Sequence, residues 1–297
     1  MIFKNLQIYR LPAPWPLQIE ALEEQLARRR FQPCGSQDME SRGWISPATD
    51  ERLVHAVGGQ WLISLGVEHK LLPSSVVKQV ADEKAEEIEA AQGYKPGKKQ
   101  MKELRERVTQ ELLPRAFSRR RRMFAWIDPT NGWLVVDAPS AARAEDMLEV
   151  LRQTLDSFPL TLLRTERSAG STMADWLATG EAPAGFTIDQ DCELRSVAED
   201  KAAVRYMRHD LEGDGVKAHL GEGKRPTRLA LTFDDRVSFV LSDKAEIKRL
   251  AFLDVFHEQM PEEESEQGRF DVLFSLMTGE LLRLIDALID ALGGRAG

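Results

Sequence analysis

The stretch MFAWIDPTNGWLVVDA, residues 123–138, places two runs of aromatic and branched side chains on either side of a turn sequence. Phe124 and Trp126 alternate with smaller residues, as side chains do when successive positions of a strand point to opposite faces. Residues 129–132, PTNG, supply the proline and glycine that tight turns favour. We therefore predict a β-hairpin here, with Phe124 and Trp126 in the protein core.

The segments around this hairpin have strand and helix patterns. Strands are predicted at 3–11, 160–163, 202–208, 228–233, 236–242 and 248–252, with a further strand pair within 53–67 around a Gly58–Gly59 turn. Helices are predicted at 16–31, 73–92, 98–113, 140–155, 171–180 (with Ser171 as its cap and Gly180 as its stop) and 269–294. Because these elements are interspersed without regular βαβ spacing, the sequence predicts an α+β fold with antiparallel sheets and long helices.

Nothing in the sequence divides the chain cleanly into domains. The 297 residues contain no internal repeat, proline-rich linker or low-complexity block. We treat residues 1–297 as one continuous unit, long enough to bury a substantial core. Four lobes are predicted within it: an N-terminal α/β lobe (1–72), a helical basic segment (73–122), a middle α/β lobe (123–200) and a strand-rich C-terminal lobe with a terminal helix (201–297).

Positive charge is concentrated in one part of an acidic chain. The protein has a formal net charge of −8 and a pI near 5.4, an average that argues against a polyanionic partner. Residues 95–122 nevertheless contain eleven Lys and Arg against three Glu, so the rest of the chain carries −16. Residues 201–228 hold a second basic excess, whereas residues 82–89 and 261–267 are acidic runs. The adjacent arginines Arg119–Arg122 repel one another, which indicates a negative partner outside the chain.

The sequence contains no recognisable catalytic constellation. Its five histidines form neither a zinc-protease motif nor a pairing with cysteine at metal-ligand spacing. It also has no P-loop, no nucleophile elbow and no glycine-rich dinucleotide fingerprint. We therefore predict a non-enzymatic protein without a cofactor or a metal.

Two smaller features have structural explanations and chemical alternatives. Asp234 and Asp235 fit a two-residue turn between alternating strands, although paired carboxylates could also hold the metal of a nuclease. Cys34 has no histidine nearby in the sequence to activate it, so a structural or incidental thiol is expected. Cys34 and Cys192 are the only cysteines and lie far apart, which favours a reducing compartment over a disulfide framework.

The sequence gives no sign of membrane insertion or export. It has no run of 18 apolar residues, the length that a membrane-spanning helix needs. Its first residues, MIFKNLQIYRLPAP, lack the charged and then apolar pattern of a signal peptide. We expect a cytoplasmic protein without a membrane partner.

The basic segments suit contact with nucleic acid. Arginine and lysine neutralise phosphates and release counterions, which gives affinity without sequence preference. No helix-turn-helix, zinc-finger or basic-zipper signature is present to read bases, and flexible, closely spaced arginines suit the phosphate backbone. Clustering of charge nominates as DNA-binding residues Arg119, Arg120, Arg121, Arg122, Lys98, Lys99, Lys224 and Arg225. The alternative is a protein-interaction module whose residues 95–122 bind an acidic helix or tail of another protein.

Several peptides, in order along the chain, resemble a known family. They are FKNLQIYRL (3–11), FQPCGSQDMESRGW (31–44), LLPSSVVKQ (71–79), LLPRAFSR (112–119), WIDPTNGWLVVDAPSAARAEDMLEVLR (126–152) and LMTGELLRLIDALIDALGG (276–294). Through these peptides the chain is similar, from end to end, to the bacterial recombination-associated proteins of the RdgC family. None of the peptides is a catalytic motif.

The resemblance implies a fold, a partner and a role. Members of the family are non-enzymatic DNA-binding proteins associated with the nucleoid, and their horseshoe-like subunits pair head to head into a closed ring dimer. The basic inner surface of the ring encircles double-stranded DNA, and single-stranded DNA binds more weakly. By occupying DNA, these proteins restrain a RecA-type recombinase and modulate recombination and replication. The resemblance thus implies a nucleoid-associated homodimer that limits recombinase access to duplex DNA. If the protein is instead an interaction module, the resemblance implies an acidic recombination or replication partner.

The resemblance also implies roles for individual residues. Arg115 and Phe117 lie in LPRAFSR, the closest match, which makes Arg115 a candidate for DNA binding. The resemblance places Phe117 at a subunit contact, with ordinary core packing as the alternative. VRYMRHDL matches a family stretch of basic and polar residues, which makes Arg205, Arg208 and His209 candidates for the DNA-binding inner surface. His209 stands where a neutral polar residue is common in the family.

Overall fold

The computed structural model describes residues 2–198, 202–254 and 265–296, which form twelve strands and seven α-helices. The strands are β1 (Leu6–Arg10), β2 (Glu40–Ile45), β3 (Val54–Val57), β4 (Gln60–Lys70), β5 (Ser118–Asp128), β6 (Trp133–Asp137), β7 (Thr161–Leu162), β8 (Phe186–Ser196), β9 (Ala203–Tyr206), β10 (Lys224–Phe233), β11 (Val237–Ser242) and β12 (Ile247–Phe252). The helices are α1 (Ile19–Ala27), α2 (Ser74–Gln92), α3 (Lys98–Leu112), α4 (Ala141–Thr154), α5 (Ala169–Thr179), α6 (Asp214–Gly221) and α7 (Glu266–Ala291). A short 3-10 turn, Leu113–Arg115, follows α3.

The described strands form one large antiparallel sheet, which confirms the predicted α+β class. Its order is β2-β4-β5-β6-β1-β12-β11-β10-β8-β9, with β3 paired to β4 and β7 paired to β1. Strand β1 joins the two halves of the sheet. It pairs with β6 along its whole length but with β12 only through Leu6 and Ile247.

The predicted hairpin at residues 123–138 is present as β5 and β6, joined by residues 129–132. The Asp128 carboxylate accepts hydrogen bonds from the backbone N–H groups of Thr130 and Asn131, both at 3.0 Å, and so fixes the turn. Gly132 has a φ of +71°, and a Cβ there would lie 2.5 Å from the carbonyl oxygen of Leu11. Only glycine therefore fits at the end of this turn.

Two hydrophobic cores lie on opposite faces of the sheet. On β5, Ala125 and Ile127 join the core that α1 and α4 cover, and we call this side the α4 face. Trp126 points the other way, into the core that α5, α6 and α7 cover, and we call that side the α7 face. The prediction of buried aromatic residues is confirmed for Trp126, which is fully buried, whereas Phe124 is only half-buried.

Helices α2 and α3 form a helical hairpin that we call the arm. Its own small core contains Ala81, Leu104 and Val108, separate from the two cores of the sheet. The predicted break between the helices is confirmed at Gly93, which ends α2 with a φ of +80°. The arm leaves the sheet after β4 and returns to it at β5, so it positions the arginine-rich start of β5.

Some element boundaries differ from the predicted ones. Helix α5 begins at Ala169, and Ser168 is its cap, because the Ser168 hydroxyl oxygen accepts a hydrogen bond from the backbone N–H of Ser171 at 3.2 Å. Ser171 is therefore not the cap, and Gly180 ends the helix as predicted. Helix α1 stops at Ala27, short of the predicted residue 31. Its continuation is diverted because the Phe31 N–H donates to the Trp44 carbonyl oxygen at the edge of the sheet, at 2.9 Å.

Strands β2 and β8 were not predicted. On β8, charged side chains occupy every second position from residue 189 to residue 195. This is a strand pattern, but it is formed by charged rather than by apolar residues. The division of the chain into four lobes stays a prediction, although residues 118–128 form one continuous strand across the proposed boundary after residue 122. None of the helices in the described residues has the length and apolar content needed to cross a membrane.

Candidate nucleic-acid interface

The arginine run lies on the first half of β5. Successive side chains of the strand alternate, so Arg120 and Arg122 lie on the α7 face with Trp126, and Arg119 and Arg121 lie on the opposite face. All four are exposed, and among the described strands β4 alone pairs with this part of β5. Backbone pairing therefore holds the arginine run in a regular strand, with two side chains on each face.

A buried carboxylate anchors one of these arginines. Glu68 lies on β4 directly opposite Arg120, and its residue is only 4% exposed. The Arg120 Nε donates a hydrogen bond to Glu68 Oε2 at 3.0 Å. The Ser118 hydroxyl, together with the Arg120 guanidinium, lowers the pKa of Glu68 below its ordinary value. Glu68 is thus a carboxylate at neutral pH and holds Arg120 by a charged hydrogen bond.

Aromatic rings support the same two arginines. The guanidinium of Arg120 lies 5.6 Å from the centre of the Phe31 ring, and that of Arg122 lies 5.7 Å from the Phe124 ring. Gly66 on β4, directly opposite Arg122, leaves room for the Phe31 ring, because a Cβ on Gly66 would lie 3.2 Å from that ring. Because the Phe124 ring lies under the Arg122 guanidinium, Phe124 supports Arg122 as well as packing against the core.

A second basic cluster surrounds Glu193 at the other end of the sheet. Glu193 on β8 is also 4% exposed and lies directly opposite Arg205 on β9. Arg205 Nε donates to Glu193 Oε2 at 2.6 Å, and Arg195 Nε donates to Oε1 at 2.8 Å. Thr227 Oγ1 donates to Oε1 at 3.0 Å, and Arg228 Nη1 lies 3.9 Å from Oε2. Burial alone would raise the pKa of Glu193, but these hydrogen bonds outweigh it and lower the pKa below its ordinary value.

The cluster opens onto a face of the sheet that no helix in the described residues covers. Glu193 points to the α4 face, because its neighbours Cys192 and Leu194 point into the α7-face core. Within the described residues, the α4-face core contains no side chain from β8 to β12. A groove of about 400 Å³ lies there instead, and its basic lining residues are Arg205, Arg228, Lys248 and Arg249.

The other candidates from the second basic segment differ in their surroundings. Arg208 and His209 are exposed just beyond the end of β9. The backbone N–H of Arg208 donates a hydrogen bond to the Asp191 carboxylate at 2.9 Å. Arg225 is exposed and lies directly opposite Arg195. Lys224 is mostly buried, and its ammonium group donates to the carboxylate of Glu222. The structure thus adds Arg225 to the Glu193 cluster, while Lys224 is already paired within the chain.

The lysine candidates of the first basic segment lie apart from the arginines. Lys98 and Lys99 begin α3 and are exposed at the tip of the arm. At 1.5 Å per residue, α3 separates them from its C-terminal end by about 21 Å. Arg115 is exposed at that end, in the turn before β5. Arg115 is thus near the arginine strand, whereas the two lysines are not.

Phe117 lies between Arg115 and β5 and is 84% exposed. Its carbonyl oxygen accepts a hydrogen bond from the N–H of Leu71 at 2.7 Å, which joins both ends of the arm. Three further exposed apolar residues are Met39, just before β2, Leu71, just after β4, and Val76, in the first turn of α2. Core packing, the alternative for Phe117, is therefore wrong, and the subunit contact stays a prediction.

Sequence comparison relates the whole chain to one family. The family model described as "Putative exonuclease, RdgC" matches residues 1–295. The chain belongs to the RdgC family. The recombination-associated protein RdgC of Dechloromonas aromatica (strain RCB) is 58% identical over 299 residues, covering 99% of this chain and 98% of that protein. The protein of the same name from Herminiimonas arsenicoxydans is 52% identical over 295 residues, with the same coverage.

The candidate groups for chemistry that the sequence offered have the following surroundings in the described part of this RdgC-family chain. Among those residues, no group of three or more His, Cys, Asp or Glu could hold a metal ion. Asp234 and Asp235 form the predicted turn, with φ of +48° and +54°, and Asp234 pairs with Arg283. Burial raises the pKa of the Cys192 thiol to about 12, so it is protonated at neutral pH. His257 and most of the acidic run at 261–267 lie outside the described residues, and the absence of enzymatic activity stays a prediction.

The sequence patterns did not identify the two buried glutamates that bind the arginines of this chain's two basic clusters. Glu68 and Glu193 were not candidates, and neither were Arg195, Arg228, Lys248 or Arg249. The one available signal was the alternating charge of β8, in which Glu193 and Arg195 stand two positions apart and thus share a face. Contacts between different strands left no local signal, because they depend on sheet register.

Proposed function

We propose that this RdgC-family protein is a non-enzymatic, sequence-independent double-stranded DNA-binding protein that acts as a homodimeric ring and limits the access of a RecA-type recombinase. The observation that carries the proposal is the pair of exposed arginine clusters, each anchored to a buried glutamate, in a chain with a net charge of −8. Folding does not require arginines to cluster at these positions, whereas clustered arginines bind the phosphates of DNA favourably.

The setting of the arginines supports backbone contact rather than base reading. They lie on strands and on an open sheet face, not on a helix that could enter the major groove. Their donors suit phosphate oxygens, which are the same in every sequence. We therefore infer binding without sequence preference, and weaker binding of single strands, whose lower charge density releases fewer counterions per contact.

Sheet twist supports one continuous basic surface. The Arg120 and Arg205 clusters lie on opposite faces of the sheet, but seven strand steps separate β5 from β9. An ordinary twist of about 20 to 25° per step would rotate the end strands by about 140 to 175° and would turn these opposite faces toward the same side. Such a subunit is a horseshoe with a basic inner surface, and two of them close a ring around a duplex.

The ring accounts for the acidic balance and for the effect on recombination. Topology retains DNA where affinity is modest, and the negative remainder of the surface repels other polyanions. A duplex inside the ring is unavailable to a recombinase filament, and the relatives are named recombination-associated proteins. The same activity makes the protein a cytoplasmic, nucleoid-associated one.

The proposal is tested by titrating the protein against a fluorescent random-sequence duplex at several salt concentrations. We expect sequence-blind binding with a steep salt slope, and weaker binding of the matching single strand. An acidic polypeptide serves as the control partner. Absence of duplex binding near physiological salt, together with tight binding of that polypeptide, would contradict the proposal and favour a protein-interaction module.

A second measurement addresses the non-enzymatic part of the proposal. We expect linear and plasmid duplexes incubated for hours with the protein and Mg²⁺ to keep their length and topology. Shortening from the ends or nicking would contradict this part. A substitution of Asp234 would then show whether its turn takes part in cleavage.

The subunit contact gives a separate prediction. We expect Phe117→Ser to raise the dissociation constant of the dimer, because a ring that is 84% exposed in the monomer loses its apolar contact area. Light scattering at micromolar concentration measures the change in mass. Tyr94→Ser, at another exposed aromatic residue in the loop of the arm, is the matched control and should leave the dimer intact. An intact Phe117→Ser dimer on dilution would refute the assignment.

A further inference from the structure

Two buried glutamates in the sheet share one local arrangement. Glu68 on β4 lies directly opposite Arg120 on β5, and Glu193 on β8 lies directly opposite Arg205 on β9. Both carboxylates are buried, and in both pairs the arginine binds through Nε, at 3.0 Å and 2.6 Å. The arrangement therefore recurs on two strand pairs at opposite ends of the same sheet.

Binding through Nε leaves most of each guanidinium available. An arginine has five N–H donors in a rigid plane, and the contact with the glutamate uses only the one on Nε. The side chains of Arg120 and Arg205 are 63% and 62% exposed, and no protein acceptor in the described residues binds their terminal nitrogens. Four donors on each arginine thus have no protein acceptor among the described residues, and a pair of them suits two oxygens of one phosphate.

The Glu193 pair extends this arrangement to a cluster. Arg195 also binds Glu193 through Nε, and Arg228 lies beside the same carboxylate. One buried negative charge thus gathers three positive charges, two of which, on Arg205 and Arg228, line a groove of about 400 Å³. Without that charge the three guanidinium groups repel one another and lose their common orientation.

We propose that Glu68 and Glu193 are positioning residues for nucleic acid, which hold Arg120, Arg195 and Arg205 by Nε so that their terminal nitrogens meet backbone phosphates. The inference rests on the proposed duplex binding and deepens it. A fixed guanidinium loses less conformational entropy when it binds a phosphate than a free one does. The carboxylates therefore strengthen binding although they carry the same sign of charge as DNA.

Positioning and simple electrostatics predict opposite changes in duplex affinity when either glutamate is replaced by glutamine. Glu193→Gln and Glu68→Gln each raise the net charge by one, so long-range attraction alone predicts tighter binding of DNA. Positioning predicts the opposite, because the arginines lose their anchor. Glu24→Gln, on the exposed surface of α1 where Glu24 pairs with Arg28, makes the same change of charge and is the matched control.

The experiment measures duplex binding of the full-length variants against salt concentration. We expect Glu193→Gln and Glu68→Gln to weaken binding about tenfold, with the slope of log K against log salt reduced by about 0.9 for each lost phosphate contact. Glu24→Gln should bind as the unsubstituted protein does or slightly tighter. Unchanged or tighter binding by Glu193→Gln and Glu68→Gln would overturn the inference.

A double-mutant cycle excludes a general structural effect. In an Arg120→Ala background, Glu68→Gln should no longer weaken binding, because the arginine that it positions is gone. An equal loss in both backgrounds would overturn the inference for this pair. Arg205→Lys and Arg120→Lys keep the charge but lose the Nε donor, and they decide the question if a glutamine variant does not fold. Failure of the unsubstituted protein to bind duplex would overturn the proposed function as well, whereas unaffected variants of a binding protein overturn this inference alone.

Discussion

We expect the double variant Arg120→Ala/Arg122→Ala to bind duplex DNA at least about tenfold more weakly than the unsubstituted protein. Both side chains lie on the α7 face of β5, where Glu68 anchors Arg120 and the ring of Phe124 supports Arg122. Loss of two phosphate contacts should reduce the slope of log K against log salt by about 1.8. The loss should be equal for all DNA sequences, since phosphates carry no sequence information.

The matched control is Arg119→Ala/Arg121→Ala, which removes the same charge from the other face of the same strand. We expect this variant to lose much less affinity, because a strand presents only alternate side chains to one ligand surface. Fluorescence anisotropy at three or more salt concentrations measures both variants. Equal losses would mean that charge density alone attracts DNA, and would contradict an interface on one face of β5.

The second large effect is on stability. We expect Trp126→Ala to lower the free energy of unfolding by about 3 to 5 kcal/mol, the usual range for deleting a large aromatic side chain from a core. Trp126 is fully buried on the strand that carries the arginines, and its Nε1 donates to Gln60 Oε1 at 2.7 Å. The substitution leaves a cavity on the α7 face and an amide oxygen that has lost its donor.

Guanidinium chloride unfolding followed by circular dichroism measures this change. Phe117→Ser is the stability control, because its exposed ring contributes little to the fold of the monomer and should shift the free energy of unfolding by no more than about 0.5 kcal/mol. Both variants are compared under conditions that keep the protein monomeric. A loss below about 1 kcal/mol for Trp126→Ala would mean that the core closes around the cavity.

Local sequence patterns predicted the helices and strands well where one face of the element packs against a core. The limits of the arm helices and the hairpin of β5 and β6 follow from apolar spacing, Gly93 and the turn at residues 129–132. Strand β8 escaped because its regular pattern is one of charge, on a face that no helix in the described residues covers. Apolar periodicity arises where one face of a strand is buried, and a strand face that is not buried shows no such periodicity.

The sequence by itself determined the secondary structure along most of the chain, the family, and the concentration of positive charge in an acidic protein. Only the tertiary structure decided which arginines share a face and which carboxylates hold them. Glu68 and Arg120 are 52 residues apart and meet because β4 and β5 pair in one register. A shift of one residue in that register would point either side chain to the other face, and neighbouring residues along the chain do not encode the register. The candidate interface is therefore a product of strand pairing, although its charges are visible in the sequence.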